Sequence, residues 1–180
     1  MLSLAGFLRK GDSFKSNRFN NILKISNNDD YSLDYNFDYV ETENLNAKTN
    51  WLRQQGNGFL IFWKLKPGVE FLAEDKESKR ADKDSLTLGS LKYLEVNPYL
   101  EIVNLNGLKI GAKYSLRDDY LPLNGIMEKE ARATTQYFEL AYGGIKEIST
   151  VVNLTFRDRI FTEKFKEQGS LDNQTILVRS

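Results

Sequence analysis

"YSLDYNFDYV", residues Tyr31 to Val40, sets a large apolar or aromatic side chain at each odd position through Tyr39 and a small or polar one at each even position through Asp38. A period of two built from aromatics is the signature of a strand with two unlike faces. One face of this strand carries Tyr31, Leu33, Tyr35, Phe37 and Tyr39, and the other carries Asp34 and Asp38. Three tyrosines in a single row suit an interface better than a dry core, because each buried hydroxyl needs a partner.

The same alternation recurs along the chain. Leu108, Ile110, Ala112, Tyr114 and Leu116 stand against Lys109, Gly111, Lys113, Ser115 and Arg117, and Leu154 and Phe156 stand against Asn153, Thr155 and Arg157. From Phe59 through Ile61, Trp63 and Leu65 to Val69, Phe71 and Ala73, apolar residues keep one parity. Stretches rich in Asn, Gly and Pro at Asn27 to Asp30, Leu65 to Gly68, Asn104 to Gly107 and Gly143 to Lys146 predict tight turns. Between them lie polar stretches expected to be long connections: Glu41 to Asn57, Asp75 to Asp84, Asp118 to Arg132 and Asp158 to Asp172. The result is a hairpin repeat of about forty residues. "TNWLRQQG" and "TEKFKEQG" each end in a glycine suited to a helix C-terminus, Gly56 and Gly169, and predict helical turns within the connections.

The expected fold is all-β, an antiparallel up-and-down meander of about eight to ten strands forming all or part of a β-barrel. Residues 1–16 are an N-terminal segment and 17–180 a single domain. The strand expected from Ser85 to Val103 is unusually long and contains Pro98, which demands a bend, a bulge or a break.

Composition narrows the chemistry. Lys plus Arg and Asp plus Glu both number 25, which leaves no basic excess for a nucleic-acid footprint. Cysteine and histidine are both absent, so thiol nucleophiles, catalytic triads and the usual zinc ligand sets are unavailable. Neither a cofactor nor a metal is expected. The carboxylate pairs Glu74 with Asp75 and Asp118 with Asp119 resemble the acid and base of a glycosidase, but their Lys- and Arg-rich setting reads as a solvated rim. No enzyme activity is expected. The opening residues do not read as a signal peptide, so an export address is expected to lie outside this chain.

The alternation of short and long connections, the rows of about five outward side chains and the tyrosines at row ends resemble bacterial outer-membrane β-barrels built from tandem hairpins. That resemblance implies an outer-membrane location, a lipid bilayer as partner and a structural or porin-like transport role. It implies lipid contact for Tyr31, Leu33, Tyr35, Phe37, Tyr39, Leu108, Ile110, Tyr114, Leu116, Leu154 and Phe156. Asp34, Asp38, Lys109, Lys113, Asn153 and Arg157 would then face the lumen. An odd count of nine strands and a final "TILVRS" without a closing aromatic suggest a piece of a larger barrel, with its remaining strands as further partners. The alternative is a soluble β-barrel or sandwich that buries the tyrosine row as its core and binds a ligand or carbohydrate through the long loops.

Overall fold

The computed structural model describes residues 3–8, 14–27, 30–80, 85–145 and 148–179. Its strands are β1 (Ser3–Leu8), β2 (Lys15–Asn27), β3 (Tyr31–Glu43), β4 (Ala47–Leu60), β5 (Leu65–Arg80), β6 (Leu91–Leu105), β7 (Leu108–Leu123), β8 (Ile126–Ile145), β9 (Ile148–Phe161) and β10 (Asn173–Arg179). One short helix, α1 (Glu163–Lys166), lies between β9 and β10. All ten strands form one antiparallel sheet in sequence order, the up-and-down meander expected, and the order is open, with β1 and β10 at its edges. The nine strands from β2 onward correspond to the nine read from the sequence; β1, paired with β2 from Ser3–Asn20 to Leu8–Lys15, lies within the segment assigned to residues 1–16.

Several expected connections are strand. Glu41 to Asn57 is occupied by the end of β3, a turn at Asn44 to Asn46 and most of β4, so "TNWLRQQG" is extended and not helical. The turn is set by Asn44, whose side-chain oxygen accepts from the backbone N–H groups of Asn46 and Ala47 at 2.9 and 2.7 Å. Such an Asx cap replaces the ladder bonds the turn gives up. Asp118 to Arg132 is likewise paired, with β7 and β8 meeting at Asn124-Gly125, both at positive φ. Polar composition misled here because a strand with polar residues at both parities has no apolar alternation to read.

Gly125 has φ +82, and a Cβ added there would stand 3.1 Å from Ser85 Cβ. A β-branched side chain in the left-handed region costs about 1–2 kcal/mol. Gly125→Val is therefore expected to lower unfolding stability by about that amount in denaturant titrations, with Gly125→Asn intermediate.

The turn expected at Leu65 to Gly68 sits earlier. Phe62 and Leu65 bridge each other around Trp63-Lys64, with Trp63 at φ 58. Leu65 to Gly68 belongs to β5, and the parity that seemed to run from Phe59 to Ala73 is broken. The register pairs Gly58 with Val69 and Phe59 with Gly68, so Phe59 and Val69 lie on opposite faces. Asn106-Gly107, both at positive φ, form the expected turn between β6 and β7. The turns expected at Asn27 to Asp30 and Gly143 to Lys146, and the connection expected at Asp75 to Asp84, fall partly outside the described residues.

Pro98 lies within β6, and the β6–β7 ladder passes from Val96–Leu116 to Tyr99–Lys113 without pairing Asn97 or Pro98. A missing N–H interrupts a ladder in this way. The strand itself begins at Leu91, since Ser85 to Ser90 form a loop against the end of β5. Ser90, 1% exposed, accepts from the Ser78 N–H at 2.8 Å and donates to the Ser78 carbonyl at 3.0 Å.

The helical turn expected at "TEKFKEQG" is present as α1, with Phe165 buried beneath it and Gly169 at φ +96. Asp172 holds this connection. Its carboxylate accepts the Phe161 N–H at 2.8 Å and meets Lys166 Nζ at 3.0 Å. The backbone hydrogen bond from Phe161, with Lys166 adding to it, keeps the Asp172 carboxyl below its ordinary range. A depressed folded pKa means this anchoring is complete above the ordinary aspartate value and lost as pH falls through the folded one. The Phe161 amide resonance is expected to titrate below the ordinary aspartate range in the native chain. In Asp172→Asn that titration should vanish.

Candidate functional site: the two faces of the sheet

Pairing register decides which side chains share a face, because residues opposite each other in an antiparallel ladder point the same way. Tyr39 pairs with Leu52, Leu52 with Asp75, Asp75 with Lys92, Lys92 with Tyr120, and Asp118 beside it with Arg132. Followed through β9, these pairings put Tyr31, Leu33, Tyr35, Phe37, Tyr39, Leu108, Ile110, Tyr114, Leu116, Leu154 and Phe156 on one face of the sheet. Asp34, Asp38, Lys109, Lys113, Asn153 and Arg157 all lie on the other.

The first face is an apolar band. Val69, Phe71 and Ala73 continue it across β5, Leu94 to Ile102 across β6, Phe138 and Leu140 across β8, and Ile176 and Val178 onto β10. On β7 the band runs from Leu108 to Leu116, eight residue steps or about 26 Å of strand. Tyr35 and Phe71 stack across Gly56 at 6.5 Å between centroids, and a Cβ at Gly56 would press within 3.2 Å of the Phe71 ring. The band ends in charge. Asp75 meets Lys92 at 2.7 Å, and Asp118 takes Arg132 Nε at 2.8 Å and Lys129 Nζ at 2.8 Å.

Large side chains of the band stay open: Leu33, Leu94, Phe138 and Leu140 are each nearly half exposed. Among the described residues the buried hydrophobic positions are Ala131 and Phe165. Among the described residues no second layer covers the apolar side of the sheet.

The second face is polar and cross-linked. Lys66, Glu101, Lys109 and Glu139 form an alternating ladder over β5 to β8, with contacts of 3.1, 3.8 and 2.8 Å. Lys113 on β7 reaches past β6 to Glu70 on β5. Arg117 bonds Asp119 at 2.6 Å, and Arg159 on β9 reaches Asp119 at 3.3 Å and Glu130 at 3.1 Å. Glu74 accepts from Trp51 Nε1 and the Tyr93 hydroxyl at 2.9 Å each, which assigns Trp51 to this network.

This polar face borders the cavities that span the most strands, while a cavity of about 520 Å³ on the apolar side is confined to β8, β9 and β10. A cavity of about 570 Å³ is lined from Ile22 on β2 to Lys113 on β7, and another of about 460 Å³ from Glu95 on β6 to Arg179 on β10. Six flat strands would span about 24 Å, so side chains from all of them can border one cavity only if the sheet curls toward them.

The adjacent carboxylates Glu74 and Asp75 point to opposite faces, as do Asp118 and Asp119, so neither pair can flank one bond. Among the described residues no group of three or more acidic side chains converges as a metal site. Asn97, Glu70, Glu95, Glu101 and Glu139 belong to the polar network and escaped the sequence reading; for Asn97 the available signal was its place before Pro98 inside a strand.

Fold and faces together define a class: a curled antiparallel β-wall, polar inside its curve and apolar outside. Compared with protein-family models, with curated proteins and with solved structures, the chain finds no match.

Proposed function

We propose that the chain is a section of the wall of a bacterial outer-membrane β-barrel, its convex apolar face against lipid and its concave polar face toward the lumen, in a structural or solute-passage role without catalysis. The observation that carries this reading is the polarity of the curvature. A soluble ligand-binding barrel turns its apolar row inward, where the row becomes a core or pocket. Here the apolar row lies on the outside of the curve and the ion pairs on the inside. Charged ladders in a concave face can meet water or each other, whereas an uncovered apolar band on the outer face is what membrane barrels present to lipid.

Two further features support it. The turn between β4 and β5 carries Phe62 and Trp63, both largely exposed beside the apolar band, as an interfacial aromatic girdle would. The hairpin β7–β8 continues past the charged edge to Asn124-Gly125, as loops of such barrels extend beyond the bilayer. The open sheet order leaves the edges of β1 and β10 for closure or for strands of a larger wall.

The test is refolding from denaturant into detergent micelles or lipid vesicles against refolding in plain buffer. A strand-rich state that forms only with amphiphile, and migrates differently on a gel before and after heating, is expected. A monodisperse strand-rich state in buffer alone rejects the reading in favour of a soluble β-domain.

A further inference from the structure

The apolar band drifts along the strands as it crosses the sheet. Straight across the ladders from Tyr35, the centre of the row Tyr31 to Tyr39, the pairing runs through Gly56, Phe71 and Val96 to Leu116. Leu116 is the last member of its own row, whose centre, Ala112, lies four residues back along β7. On β8 the same line reaches Thr134, and the apolar pair Phe138 and Leu140 lies four and six residues farther on. The band therefore shifts by one residue for each strand crossed. One residue of rise against one strand spacing is a tilt of about 35°, within the range of strands in closed barrels.

Among the described residues the outer edges of β1 and β10 pair with no strand. β10, "NQTILVR", has no proline, lysine or bulge of the kind that shields an edge, and its Ile176 and Val178 are each 67% exposed. Ten strands in meander order is an even count, so β1 and β10 run antiparallel and can pair edge to edge without breaking the alternation of direction. The ladders carry Ser3 on β1 straight across to Phe161 on β9, and the β9–β10 register continues that line to a point two residues before Asn173. A band that shifts one residue per strand returns to β1 after about ten strands displaced by about ten residues, an even stagger that keeps outward rows beside outward rows. Applied to that line, the displacement sets Arg179 opposite Ala5, Val178 opposite Gly6, Leu177 opposite Phe7 and Ile176 opposite Leu8.

We infer that the partner of the β10 edge is the β1 edge of the same chain, and that their pairing closes the wall as a ten-stranded barrel. This rests on the membrane-wall reading and narrows it: the two edges meet each other, not the strands of a larger wall. The drift of the band is what brings them together. Without it every residue of β10 would stand level with positions ahead of Ser3, and the two strands would not overlap at all. Closure also supplies the backbone hydrogen bonds that both edges lack, which no lipid tail can offer.

Cysteine crosslinking of the full chain refolded in detergent micelles tests it, because the native sequence has no cysteine. Val178→Cys is combined in turn with Leu4→Cys, Gly6→Cys and Leu8→Cys, and each double variant is oxidised with copper phenanthroline in air and run denatured on a non-reducing gel. Residues directly opposite each other stand about 4.5–5.5 Å apart at Cα, within reach of a disulfide, whereas those two positions off stand about 7–8 Å apart. The Gly6 pair is expected to crosslink within one chain several-fold more than either flanking pair, giving a monomer that migrates faster. Phe7→Cys with Leu177→Cys repeats the test one residue along and serves where a Gly6 variant does not fold. Preference for the Leu4 or Leu8 pair would overturn the register. Crosslinked dimers would overturn closure in favour of a second copy, and a strand-rich chain without crosslinks would overturn it outright. Failure of the membrane reading shows separately, as a strand-rich state in plain buffer; the same crosslinks are then measured there, and the Gly6 pair alone decides closure.

Discussion

Phe37→Arg is expected to abolish insertion into lipid vesicles while Asn36→Arg, one residue away, leaves it nearly intact. Phe37 sits in the middle of the apolar row, edge-on to Phe19 at 5.9 Å, with Gln54 and Asn21 as its ladder neighbours. In the proposed membrane wall an arginine there would meet hydrocarbon near the midplane at a cost of about 2–4 kcal/mol, a large fraction of the stability typical of a small domain. Asn36 points into the concave face, where Asn20 donates to its side chain at 3.1 Å. Its replacement forfeits one half-exposed hydrogen bond and adds a cation beside Asp34 and Asp38, both of which share that face. Ile110→Arg against Gly111→Arg repeats the comparison on β7, where a Cβ at Gly111 meets nothing closer than 3.7 Å. The readout is the fraction of chain that becomes protease-resistant and heat-modifiable in vesicles. Equal tolerance on both faces would remove the assignment of sides, and with it the membrane reading.

Ser90→Ala is expected to cost about 1–3 kcal/mol, the penalty for stranding a buried polar group. The hydroxyl answers the Ser78 N–H at the edge where β5 leaves the sheet. The Ser78 carbonyl is less exposed to loss, because the Thr87 N–H also donates to it at 2.8 Å. The damage should therefore be directional: in denaturant titration the variant unfolds earlier, and amide exchange accelerates at Ser78 more than at Thr87. Uniform acceleration across the loop would mean that Ser90 acts by packing alone. The effect should not depend on lipid, since the loop lies beyond the charged edge of the apolar band.

Each strand's internal parity was legible in the sequence because alternation is a local property: a side chain at i and one at i+2 point the same way whatever the strand pairs with. Tyr31 to Tyr39 and Leu108 to Leu116 were each recognisable as one row without knowledge of any neighbour. Asn106-Gly107 was legible as a turn for the same reason, since the dihedrals belong to those two residues. Trp63 was not, because nothing in a tryptophan announces positive φ; the turn is imposed by the pairing of β4 with β5 on either side. The stretches Glu41 to Asn57 and Asp118 to Arg132 hid their strands because polar residues fill both parities, and such a strand has the composition of a loop.

What the sequence by itself determined is a set of two-faced strands and the absence of thiol and imidazole chemistry. What only the tertiary structure decided is which rows join, and on which side of the curve they lie. Row-joining depends on register, where a shift of one residue would have put Phe71 beside Asp34 instead of across from Gly56. The side of curvature depends on contacts between strands far apart in sequence, such as Glu70 with Lys113 over the back of β6. A pair of that kind has no local signature, because its two charges meet only after three strands have been laid side by side.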